Sequence, residues 1–483
     1  MSKNNADEKK LSTSLLVKSS FWYTLSGFLT RAISFITIPI FTRILSKEQI
    51  GDFSVFASWQ AILLIICSIE VQNTVNKARF DFPEEHQLNA YVTSCLVLST
   101  VLTAVVGGLY LLFPHLFYRV LLIDRKYMGI LFLYLFTVPA FTMFHTVQRV
   151  KYRYKLSAGI TLCVVLLSSV LAVLLAVSWT EDRLFGRIFG QYILHIVTGL
   201  LFYVYFAWKS FRIKKVYFQY ALRIGLPLVF SYLGGTILLA SDSLVAKHMC
   251  TDAQVGYIAL VHSAAHIILI LVQTMNSAWS PWFYDKLNLG HTAPIRKAFR
   301  AYIWLVLLGT FAVVLLGPEI ILILGGREYS EAVAILPPVV LSGAFTVLTA
   351  QMGNLETYYK KPEAAAAITG IVAVVNIVLN IVGVLLWDYR AVCYVTVACT
   401  VLSVLIHYRY TKRMNIREMI RPSDLAQFML AALLMIPVAL LLYLNFTVRI
   451  VFIALLLVLA LILAYVKRKL ILEWIRRLKE RAQ

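Results

Sequence analysis

Long apolar runs and short polar clusters alternate along the whole chain, each run coming about 30–35 residues after the one before and close to the ~20 residues that cross a bilayer as a helix. Fourteen runs can be counted, the first over residues 19–44 and the last over 447–467. Within a run the apolar residues are contiguous, without the period-two alternation of a membrane β-barrel. The pattern predicts an all-α polytopic membrane protein of about 14 transmembrane helices. The seventh to ninth runs (218–247, 254–282 and 298–324) are long enough to predict tilt or kinks. The polar clusters leave no room for a soluble domain, so the chemistry must reside in the bundle.

Composition narrows this further. Of 483 residues 60% are hydrophobic and 14% charged, far from the balance of a soluble domain. The net charge of +21 does not point to nucleic acid. Lys and Arg divide roughly three to one between the two sides, in favour of the side carrying both termini, which predicts a cytoplasmic membrane protein with both termini in the cytoplasm. The polar start MSKNNADEKK leads into a full span without a small-residue cleavage site, so the first helix is expected to serve as the insertion signal. Residues 467–483 form a basic amphipathic tail, with Leu470, Trp474 and Leu478 on one face, expected to lie on the cytoplasmic leaflet. The six cysteines show no CxxC pattern and read as apolar packing residues.

Two stretches echo one another at a nearly constant offset. RILSKEQIGDF, with Gly51, answers to KHMCTDAQVGY, with Gly256, and residues 154–158 answer to 360–364. An offset of six helices keeps orientation, which predicts parallel repeats about an axis normal to the membrane, with a substrate site between the halves. The expected division is 1–210 (helices 1–6), 211–411 (helices 7–12) and 412–483 (helices 13 and 14 with the tail).

The run IPIFTRILSKEQIGDF, residues 38–53, and its later echo resemble the polysaccharide transporters, the flippases of lipid-linked oligosaccharides within the superfamily of multidrug and oligosaccharidyl-lipid exporters. The resemblance implies a MATE-like fold of two six-helix lobes plus two helices, translocating polyprenyl-diphosphate-linked oligosaccharide for capsule, O-antigen (lipopolysaccharide) or exopolysaccharide synthesis. Other polysaccharide assembly proteins are the partners it implies besides lipid. Relatives that flip the cell-wall lipid precursor carry an arginine pair in helix 1 spaced like Arg31 and Arg43. They also have a third arginine between the two, near the place of Thr37 here, which disfavours the peptidoglycan precursor as cargo.

The residues themselves name the candidates. Arg31 stands in the middle of the first span, where a charge costs roughly 2.5–3.5 kcal/mol on insertion scales. It either holds an anion in a wet cavity or pairs with Glu70 of helix 2, which is itself a candidate coupling or cavity acid. Arg223 in helix 7 is a second cavity cation or snorkels to the head groups. Asp242 near the far end of that helix suggests a proton or cation site, a partner for a cavity base, or a salt bridge at the mouth. His262 and His266, four apart on helix 8, share a face and suit either a cavity or interhelical packing. Arg43, Pro39 and Pro227 are mouth or hinge residues, and His145 and His195 read as packing. A coupling ion, H+ or Na+, is expected without the sequence choosing between them. No metal cluster, cofactor motif, DxD, GxSxG or P-loop is present, which disfavours a glycan polymerase or glycosyltransferase. Export of cationic drugs on the same scaffold fits poorly with intraspan arginines.

Overall fold

A computed structural model describes residue 22 and residues 25–151, 153–413 and 420–466. The basic tail therefore lies outside the described residues. Among them, thirteen helical stretches are long and apolar enough to cross a membrane, and α17 (Phe446–Val466) occupies the fourteenth run. The chain opens with α1 (Leu25–Ile44), α2 (Lys47–Ser68) and α3 (Val71–Asp81). It continues with α4 (Glu85–Leu112), α5 (Pro114–Leu121), α6 (Arg125–Val150), α7 (Tyr154–Ser178) and α8 (Arg183–Lys209). Next come α9 (Lys215–Met249), α10 (Asp252–Asn288), α11 (Thr292–Leu315) and α12 (Gly317–Gly325), then a 3-10 stretch, Arg327–Ile335. Helices α13 (Leu336–Tyr358), α14 (Pro362–Leu386), α15 (Ala391–Arg413) and α16 (Pro422–Tyr443) precede α17.

The second run is one span by length but not one helix. Ile69 and Glu70 both take left-handed backbone angles, φ 48° and 51°, and divide α2 from α3. A β-branched residue pays for that conformation, so the break needs outside support. Gly225 of α9 supplies it: a Cβ there would lie 2.6 Å from the Ile69 carbonyl oxygen. Pro227, by contrast, sits within an unbroken 35-residue α9, and Pro281 within a 37-residue α10.

The echoed motifs occupy matching places. Ser46 and Thr251 each form a capping box, with Gln49 and Gln254 respectively, and so start α2 and α10 in the same way. The two glycines that follow meet. A Cβ on Gly51 would stand 2.9 Å from the Asp252 carbonyl oxygen and 3.0 Å from the Gly256 nitrogen, and one on Gly256 would run into the Lys47 carbonyl. Only bare backbone permits this crossing. Around it, Lys247 of α9 reaches both Asp52 (2.6 Å) and Asp252 (2.5 Å). Arg43 bonds the Pro39 and Ile323 carbonyls, Thr42 bonds the Leu324 carbonyl, and Arg183 bonds the Ile44 carbonyl. The Ser46 end of the bundle is thus drawn together from α1, α2, α8, α9, α10 and α12.

The largest buried core runs through α10–α13, the stretch between α12 and α13, α15 and α16, and others join α2, α6 and α8. Helix α9 bridges them: Tyr217 and Ala221 pack in the core of α3, α4 and α6, whereas its later part faces α2 and α14.

Asp182 caps α8, accepting from the Phe185 amide at 3.0 Å, and pairs with Lys126 at 2.5 Å. Burial alone would raise its pKa, but the Lys126 bond and the amide outweigh burial and hold it below the usual value. A depressed folded pKa contributes stability above the unfolded value, near 3.9, that is lost as pH falls through the folded value. Asp182→Ala is therefore expected to lower unfolding stability by about 1 kcal/mol at neutral pH. In thermal melts the deficit should shrink below about pH 4.

Candidate functional site

Two hollows, of about 600 and 440 Å³, are lined by groups such as Trp304, Leu308 and Met435 or Met275, Trp282 and Leu305, with no charged side chain. A third, of about 420 Å³, differs in kind. Arg31, Thr37, Arg187, Gln191, His266 and Gln273 line it, and α1, α2, α7, α8, α9 and α10 all contribute to its wall. The charge in α1 opens onto this polar-lined space. Arg31 is exposed within it and forms no salt bridge among the described residues. His266 shares the lining, so one of the two histidines on that face reaches the cavity.

The other histidine turns to a different site. Asp242 is fully buried, and its carboxylate accepts from Thr396 at 2.7 Å and Asn380 at 2.9 Å, with the His262 Nε2 at 3.1 Å. Asn376 extends the cluster, accepting from Ser241 (2.5 Å) and Asn380 (3.1 Å) and donating to Thr396 (3.2 Å). The Asn380 Oδ1 is buried with no hydrogen-bond partner among the described residues. The carboxylate is thus ringed by a hydroxyl, an amide N–H and an imidazole nitrogen, with the Asn380 Oδ1 left unsatisfied beside them. Asp242 sits in a buried polar cluster in which His262 is its basic neighbour, an ion pair when that imidazole is protonated.

Other candidates are not brought to either place. Glu70 accepts from Gln72 (2.9 Å) and Asn73 (2.7 Å), so the alternative of an Arg31–Glu70 pair is replaced by a local bond set at the α2–α3 break. Arg223 is exposed on α9 and does not line the Arg31 cavity. Arg43 and Pro39 belong to the closed Ser46 end. His145 bonds Ser157 at 2.8 Å, and His195 bonds the Gln191 carbonyl at 3.2 Å, both amid aromatic rings.

Residues 16–286, more than half of the chain, match the family described as "Polysaccharide biosynthesis protein". The chain belongs to that family. Among curated proteins it is similar to "Lsg locus putative protein 1" of Haemophilus influenzae, 22% identical over 56% of this chain and 66% of the relative. An "Uncharacterized membrane protein" of the same organism is also 22% identical, over 57% and 67%. The match to the first of these thus covers just under two thirds of its length. Of solved structures, a "Lipid II flippase MurJ, inward closed conformation" superposes with TM-score 0.69 at 14% identity, covering 93% of this chain and 99% of that one. An inward-facing multidrug resistance MATE transporter of the MOP superfamily gives 0.63 at 14% identity over 80% and 95%. At these identities the likenesses establish the fold, which is MATE-like. The family expected from residues 38–53 is borne out.

Several residues of this polysaccharide biosynthesis protein escaped the sequence reading. Arg187, four residues past Arg183 near the start of α8, is buried and lines the cavity. Its guanidinium lies 4.1 Å from the Phe41 ring and 3.5 Å from the Phe53 ring. The signal was its place inside the run LFGRIFG. Asn376 and Asn380, spaced by four in an otherwise apolar run, carried the same kind of signal. Glu356 and His407, buried and paired at 2.8 Å between α13 and α15, had none.

Proposed function

We propose that this family member carries polyprenyl-diphosphate-linked oligosaccharides across the cytoplasmic membrane for capsule, O-antigen or exopolysaccharide synthesis, as a transporter and not an enzyme. The observation that carries the reading is Arg31, a cation without a carboxylate partner among the described residues, exposed to a cavity inside an apolar bundle. Residues 1–210 and 211–411 act as the two lobes, with 412–483 appended, and the Ser46 end faces outward. A diphosphate entering from the cytoplasm exchanges water for Arg31, whose fork donates to two oxygens at once in a low-dielectric space. Thr37 lines the same cavity further along α1, its hydroxyl donating to the Ser34 carbonyl at 2.8 Å. The polyprenyl tail stays in lipid while the lobes rock.

A flippase and a multidrug transporter among the structures of like fold support transport as the general activity. The cavity's two arginines argue against cationic cargo. Purified protein is expected to bind a short-chain polyprenyl diphosphate saturably, with inorganic pyrophosphate competing. Equal binding of the uncharged polyprenol would contradict the reading.

The coupling ion, H+ or Na+, is proposed to sit at Asp242. The route to the substrate runs through α10, where His262 touches the carboxylate and His266, one turn on, lines the cavity. Asp242→Asn is expected to abolish the dependence of transport on an imposed ion gradient and cut the gradient-driven rate about tenfold or more. Proteoliposomes with and without Na+ or pH gradients measure both. An unchanged gradient response in this variant excludes Asp242 as the ion site.

A further inference from the structure

The cavity's second cation has no assigned partner. Arg187 is buried, 9% exposed, and its Nε and Nη1 have no hydrogen-bond partner among the described residues. Its Cζ lies over both the Phe41 and the Phe53 rings, and no carboxylate lies within ion-pair distance of it among those residues. A desolvated guanidinium with unused donors at a cavity wall is the state of a site awaiting an oxyanion. It is not the Arg31 site. Phe41, against which Arg187 packs, follows Arg31 by ten residues of α1, about 15 Å of helix rise.

Resting on the transport reading above, we propose that Arg187 is a second anion subsite that takes the carboxylate of an acidic sugar in the oligosaccharide head while Arg31 holds the carrier's diphosphate. With Nε and Nη1 unpartnered, the Arg187 guanidinium keeps an edge free at the cavity wall. A carboxylate presents two coplanar oxygens to that edge and fits it bidentately. The apolar rings beside it suit the C–H face of a pyranose. Cargo is then selected by charge at the deep end of the cavity.

The test uses full-length purified protein and three short-chain polyprenyl-diphosphate probes: the carrier alone, a disaccharide ending in glucose, and the same disaccharide ending in glucuronate. Wild type is expected to bind the glucuronate probe about tenfold or more tightly than the glucose probe. Arg187→Gln should erase that difference and leave carrier affinity within about twofold, whereas Arg31→Gln weakens all three. Equal binding of both disaccharides by wild type overturns the proposal. So does an equal loss for all three probes in Arg187→Gln, which would give Arg187 to the diphosphate. The methyl ester of the glucuronate probe removes the charge without altering the protein, and it should bind like the glucose probe. Retained tight binding of the ester also overturns the proposal. Failure of wild type to bind even the carrier would sink the transport reading, and this inference with it.

Discussion

Gly256→Leu is expected to stop transport and to lower the melting temperature of the protein. The obstacle is backbone: a Cβ at this position meets the Lys47 carbonyl, which cannot swing aside as a flexible side chain would. Overpacking of this kind costs about 1–3 kcal/mol, and at the upper end that shifts a two-state equilibrium by over a hundredfold. The shift disfavours the arrangement in which the Ser46 end is closed. Gly51→Ala should do less, because its nearest neighbours stand at 2.9 and 3.0 Å. Gly108→Ala makes the control. Nothing lies within 4 Å of its added carbon, so the loss of unfolded-chain freedom should leave stability equal or slightly higher. Melting curves and transport rates of the three variants should rank Gly256 as most severe, then Gly51, then Gly108. Wild-type transport by Gly256→Leu would show that the crossing need not close.

Arg31→Ala should give the opposite pairing of effects. Removing an exposed cation that has no ion partner among the described residues breaks no pair, so the melting temperature is expected to hold. Binding of the carrier diphosphate should fall about a hundredfold, the equivalent of two lost charge-assisted hydrogen bonds. Arg31→Lys keeps the charge but loses the planar fork and should recover only part of the affinity. Titration calorimetry and melting curves on the same samples separate the two roles. A large loss of stability with unchanged binding would make Arg31 a structural residue.

The sequence carried the spans because an apolar run near bilayer length has few alternatives to a helix. It carried the echoed motifs for a similarly local reason: a capping box followed by glycine is a contiguous pattern, and in the fold both copies begin helices that cross at those glycines. What it could not carry was partnership. Glu70 looked like a partner for Arg31 because both are charges in adjacent spans, but two left-handed residues turn its carboxylate back onto Asn73. Nothing within residues 65–75 announces that break, whose support comes from Gly225, far along the chain. The Asp242 cluster gathers Asn380 from α14 and Thr396 from α15, so only tertiary packing reveals it. Arg187 was visible as a residue but not as a site, because the rings that strip its water come from α1 and α2.

The most direct test of the account follows a fluorescent short-chain polyprenyl-diphosphate oligosaccharide across the bilayer of proteoliposomes containing the purified protein. Translocation well above that of protein-free vesicles, lost in Arg31→Ala while the variant stays folded, is the predicted result. Movement no faster than in empty vesicles under either ion gradient, or unchanged movement in Arg31→Ala, would contradict it.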